Sequence, residues 1–89
     1  MKTGANEMTK SDQRNREILD AIKVALATSD ARTISKFRLS VFRNSGERIE
    51  HILDVSVNKI AMNWRGYGGA FLYSVNEKGA HRQIGSWYF

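Results

Sequence analysis

Cysteine is absent from the 89 residues, so no disulfide braces the fold, and His51 and His81 have no thiolate partner with which to build a zinc site. The stretch from Met1 to Lys10 is polar and holds no apolar run. Neither a signal peptide nor a membrane span is therefore expected, and the expectation is a cytoplasmic protein with no membrane partner. No phosphate-binding glycine loop, nucleophile-base-acid spacing or pair of catalytic carboxylates stands in the chain, so the expectation is a non-enzyme without cofactor or metal. Internal repeats and low-complexity tracts are missing as well. What remains is one domain, large enough to bury roughly 60% of the surface its unfolded chain would expose.

Acidic residues are the scarcer charge: 14 Lys and Arg stand against 9 Asp and Glu, for a net charge of +5 and a pI of about 9.9. The excess has a place. Residues 1 to 31 are neutral, residues 32 to 43 hold Arg32, Lys36, Arg38 and Arg43 with no acid, and residues 44 to 57 are net acidic. Residues 58 to 89 are again basic through Lys59, Arg65, Lys78 and Arg82. A basic balance focused in this way favours a polyanionic partner, although each single charge by itself reads as a solvated side chain.

Along the chain, residues 1 to 10 read as a flexible tail and residues 11 to 89 as a single domain. Thr9 and Ser11 can cap a helix, and an apolar stripe of Ile18, Leu19, Ile22, Ala25 and Leu26 predicts that helix over residues 12 to 28. The segment from Thr33 to Arg43 supports two periods. As a helix it gathers Ile34, Phe37, Val41 and Phe42 on one side; as a strand it points Phe37, Leu39 and Val41 inward and leaves Phe42 out of phase. Capping by Thr33 or Ser35 favours the helix. Ser45 then caps a further predicted helix through Val57, with Ile49, Ile52 and Leu53 on one face. After Asn58 the period becomes two. Ile60, Met62 and Trp64, then Phe71, Tyr73 and Val75, flank a glycine-rich tip, and residues 82 to 89 can add a last strand.

Three stretches carry a resemblance. Arg32-Thr33-Ile34-Ser35 heads one segment, Ser45-x-Glu47-x-Ile49-x-x-Ile52-Leu53 forms the next, and Tyr67-Gly68-Gly69-Ala70-Phe71-Leu72-Tyr73 leads to Glu77-Lys78-Gly79. In this order they resemble winged helix-turn-helix transcription regulators over residues 12 to 79. The resemblance implies an α+β fold: helix 1, a helix-turn-helix, and a carboxy-terminal β-hairpin wing with an extra strand. It implies a small transcriptional regulator of phage, plasmid or bacterial type that binds double-stranded DNA, often as a homodimer. Ser45, Glu47, Arg48 and His51 would then face the major groove, Lys36, Arg38 and Arg43 the phosphates beside it, and Lys59 and Arg65 the phosphates from the wing, with Tyr67 at its tip a further candidate for nucleic-acid contact. About four to six phosphate contacts would make log K fall with log salt at about −0.9 per contact.

Two other classes compete. A factor that occupies or inhibits a host protein would use the aromatic end Ile84-Gly85-Ser86-Trp87-Tyr88-Phe89, since aromatics are enriched at interface cores. An RNA-directed domain would stack bases on Trp64, Tyr67 or Tyr73. As a messenger nuclease it would draw on Arg65, His81, Arg82 and Tyr88, which no ordered motif joins.

Overall fold

The computed structural model describes residues 9–28 and 33–89. Thr9 caps the helix as its spacing predicts: its hydroxyl accepts from the Asp12 N–H at 3.0 Å, and Asp12 lies in the first turn where its charge favours the helix dipole. The helix, α1, spans Lys10–Leu26 and buries Ile18, Ile22 and Ala25. The tail expected at residues 1 to 10 falls outside the described residues as far as residue 8, and α1 already begins at Lys10.

After α1 come four strands, β1 (Ile34–Arg43), β2 (Arg48–Asp54), β3 (Tyr67–Asn76) and β4 (His81–Tyr88), in one antiparallel sheet of order β2-β1-β3-β4. The winged helix-turn-helix expectation is thereby overturned, because the chain has one helix among the described residues and a four-stranded sheet in place of the helical pair and wing. Residues 34 to 43, expected as a helix, take the strand alternative. Phe37, Leu39 and Val41 are at most 1% exposed and face α1 together with Ala70 and Leu72. Phe42, out of phase for a strand with one apolar face, belongs to a second cluster on the other side of the sheet.

Residues 45 to 57 do not form the expected recognition helix. The Gly46 N–H donates to the Arg43 carbonyl at 2.9 Å, Arg43 N–H donates to the Glu47 carbonyl at 2.8 Å, and Gly46 has φ +97°. Asn44-Ser45-Gly46 is thus a tight hairpin loop whose glycine takes the left-handed conformation, and Ser45 stands at its tip instead of capping a helix. Arg48 to Asp54 then pair with Phe42 to Lys36. Inward Ile49 and Leu53 pack against the core while Ile52 points away.

The expected wing is also absent, for a packing reason. Its first arm, residues 60 to 64, forms no strand. Trp64 instead enters the core at 3% exposure, and its indole N–H donates to Asn15 Oδ1 at 2.7 Å. Asn15 Nδ2 donates to the Met62 carbonyl at 2.9 Å, and the Ser11 hydroxyl accepts from Trp64 N–H at 2.9 Å. These bonds fasten the long β2–β3 connection to α1, and burial of the indole ring with its donor satisfied outweighs sheet pairing there. The second hairpin joins β3 to β4 through residues 77 to 80, where the Asn76 side chain accepts from the N–H groups of Lys78 and Ala80 at 2.9 Å and Gly79 has φ +83°. The strand expected over residues 82 to 89 is β4.

Candidate binding face of the sheet

Strand alternation sends successive side chains to opposite faces. One face packs on α1; no described element covers the other. Register places Lys36, Arg38, Ser40 and Phe42 of β1 across from Asp54, Ile52, Glu50 and Arg48 of β2 on that open face. On the other side of β1, Phe71 stands opposite Ser40 and Tyr73 opposite Arg38, and Tyr88 of β4 stands opposite Gly69.

The aromatic side chains converge. The rings of Phe42 and Phe71 are stacked at 5.7 Å between centroids, Phe71 and Tyr88 meet edge-on at 6.0 Å, and Phe42 and Tyr88 are tilted at 6.4 Å. Separations of this kind are those of favourable aromatic pairs. Gly69 makes room for the cluster. A Cβ there would lie 2.7 Å from the Phe42 ring and 2.2 Å from the Trp87 carbonyl oxygen, so only glycine lets Phe42 lie over the sheet. The three rings come from β1, β3 and β4 and remain partly or largely open to solvent, Tyr88 at 74% exposure.

Charged groups border the rings in fixed geometry. Arg38 Nη1 donates to Glu50 Oε1 at 2.7 Å while its guanidinium carbon lies 4.4 Å from the Tyr73 ring centroid. Its Nε is buried without a hydrogen-bond partner, so the Glu50 contact and the Tyr73 ring hold the group. Ser40, almost fully buried, donates to Glu50 Oε2 at 2.6 Å. The Ser40 hydrogen bond first, then Arg38 and the nearby Arg48 charge, hold the Glu50 carboxyl below its ordinary range. Arg48 reaches back across the face to 5.9 Å from the Phe71 ring centroid. At the sheet's corner, hydrogen bonds from the Ser56 side chain and N–H lower the Asp54 carboxyl.

Of the nucleic-acid residues expected from the sequence, the open face gathers Lys36, Arg38 and Arg48. The others are dispersed. Arg43 lies at the end of β1 beside Glu47 at 3.4 Å and 4.9 Å from the Tyr67 ring centroid, and Ser45 and Glu47 sit in the hairpin loop. His51 is opposite Leu39, on the helix side of the sheet, and half-buried. Lys59 and Arg65 lie in the β2–β3 connection, and Tyr67 packs edge-on against Trp64 at 5.5 Å. The groove constellation of Ser45, Glu47, Arg48 and His51 is not assembled, because strand alternation separates what a helix would have aligned.

Phe42, Phe71, Ser40 and Glu50 are not among the binding residues expected from the sequence, and Tyr88 is expected there only in the nuclease grouping and the aromatic carboxy-terminal end. A signal for the aromatic ones exists: β1 and β3 carry large apolar or aromatic residues in both phases, the mark of a sheet with apolar surface on each side. The nuclease grouping does not converge, since His81 and Tyr88 lie at opposite ends of β4, roughly 23 Å apart at about 3.3 Å per residue. Among the described residues no cluster of His, Asp and Glu could hold a metal ion, and no helix is long and apolar enough to cross a membrane. No family model, curated protein or solved structure matches this chain.

Proposed function

We propose that this protein binds single-stranded nucleic acid on the open face of its sheet. One observation carries the reading: the rings of Phe42, Phe71 and Tyr88, from three strands, form a continuous aromatic surface beside Arg38, Arg48 and Lys36. Unpaired bases offer π-faces to such a platform, whereas bases inside a duplex are already stacked on one another. The net charge of +5 attracts the phosphates. Insertion of a helix into a duplex groove finds no support, since the segment assigned to it forms a loop and a strand.

Fluorescence anisotropy with a labelled single strand and the corresponding duplex tests the reading. The single strand is expected to bind more tightly, and its log K to fall with log salt at about −0.7 per phosphate contacted. Phe71→Ala is expected to weaken single-strand binding by about 1–3 kcal/mol, the usual worth of a stacked base. Equal affinity for duplex and single strand, or no binding at low salt, would remove the proposal.

A second reading, a protein-binding face, draws on Ile52, which lies on the same side of the sheet at 60% exposure. An aliphatic side chain has no π-face for a base, but it fits the apolar centre of a protein interface. Ile52→Glu separates the two: it would disrupt a protein complex and leave nucleic-acid affinity within about twofold, in keeping with the small effects of surface substitutions.

A further inference from the structure

The aromatic platform ends on one side at a carboxylate, which is unusual for a surface meant to meet phosphates. Glu50 is held on both oxygens, with Arg38 on one at 2.7 Å and Ser40 on the other at 2.6 Å. An ionised carboxylate offers about four lone-pair sites, so each oxygen keeps one for a further donor. The anion is oriented but not saturated. A carboxylate repels phosphate, so a hydrogen-bond donor on a base edge suits this position better than the backbone does.

We infer that Glu50 makes the face selective for guanine, by accepting from the Watson–Crick edge of a base stacked on Phe42 and Phe71. This rests on the single-strand reading above. Register supports the reach: Phe42 is directly opposite Arg48, Glu50 is the next residue of β2 on that face, and neighbouring strands lie about 4.8 Å apart. Among the standard bases, guanine alone presents two adjacent N–H donors there, N1–H and the N2 amino group, matching the two oxygens of a carboxylate. Adenine and cytosine each set a ring-nitrogen acceptor beside their amino group, and uracil flanks its single N–H with two carbonyls, so each would bring a lone pair against the anion. Beside N1–H guanine carries O6, an acceptor suited to the Arg48 guanidinium that already leans over the platform at 5.9 Å from Phe71.

The probes are fluorescein-labelled uridine strands with one central guanine, inosine, adenine or cytosine, and the same series with deoxyribose, titrated by anisotropy. Guanine is expected to bind about tenfold more tightly than adenine or cytosine. Inosine, which lacks the N2 amino group, is expected in between. Glu50→Gln should bring all strands within about twofold of one another while the thermal midpoint stays near that of the wild type. A ranking seen in both sugar series supports base-edge reading without a sugar contact; one confined to ribose or deoxyribose supports it and identifies the ligand as RNA or DNA. Equal affinity for all bases, or a guanine preference that survives Glu50→Gln, overturns the selectivity while leaving the stacking face intact. Failure of every strand to bind overturns the single-strand reading, and the selectivity with it.

Discussion

Beneath α1, Phe37, Leu39, Val41 and Leu72 are at most 1% exposed, whereas across the same sheet Ile52 and Tyr88 expose 60% and 74% of their surface. The first set touches the helix, Trp64 and one another, and excludes charge. The second is threaded with Arg38, Glu50, Arg48 and Lys36. Burial on one side supplies the free energy that orders the chain, in proportion to apolar area removed from water. The rings on the other side are held by neighbours within the sheet itself, so they keep a face for a ligand without the fold depending on it. Stability and recognition are therefore expected to separate by face, and substitutions on either side test that division.

The largest effect belongs to the covered face. Phe37→Ala is expected to lose about 3–5 kcal/mol in urea unfolding, since it deletes a ring with 0% exposure in the centre of the core; a loss below about 1 kcal/mol would mean that the core lies elsewhere. Gly69→Ala should cost about 1–3 kcal/mol, and it blurs the division deliberately. Its Cβ would drive Phe42 off the sheet and press on the Trp87 carbonyl, so single-strand affinity should fall together with the unfolding midpoint. Ile52→Ser, on the open face, is expected to move stability by no more than about 0.5 kcal/mol despite removing a large aliphatic group. A shift of several kcal/mol there would show that this face is packed against something in the folded state.

The smallest effect concerns pH. The Glu50 carboxyl is held below its usual 4.5 in the folded chain, chiefly by the Ser40 hydrogen bond. Its contribution is therefore complete above the ordinary carboxylate range and is lost as the pH falls through the folded value. Because the group is substantially exposed, solvent screening keeps this contribution small. Urea midpoints of wild type and Glu50→Gln should converge as the pH drops below about 4.5 and run parallel above it. Divergence at acidic pH would contradict the Ser40 and Arg38 contacts.

The first helix was legible because its evidence is local: a threonine cap, an acid in the first turn and an apolar stripe at helical spacing. The segment from Thr33 to Val57 was not, for two physical reasons. Strand β1 bears apolar residues on both faces, so Phe42 broke the alternation that marks a strand covered on one side only and imitated the helical spacing of Ile34, Phe37 and Val41. Ser45 has the chemistry of a helix cap, but Asn44-Ser45-Gly46 also has the chemistry of a hairpin loop, and cross-strand pairing with residues up to 18 positions away along the chain decided between them. Lys36 and Arg38 were picked out from charge, and Arg48 from the resemblance to a recognition helix. That Arg38 would meet Glu50 and Tyr73, or that Phe42, Phe71 and Tyr88 would touch, depends on register between strands and leaves no mark in any short window.

Composition and local pattern alone thus settled the basic character, the absence of disulfides, the amphipathic first helix, and the strand-forming, turn-punctuated end of the chain. These follow from side-chain charge, thiol chemistry and short-range backbone preference, which act within a few residues. Only the tertiary structure decided that β1 pairs with both β2 and β3, that Trp64 belongs to α1 and not to a wing, and that an aromatic face bordered by the held Glu50 carboxylate is left open. Those outcomes turn on hydrogen bonds and burial between distant segments, whose energies exceed the local preferences that opposed them.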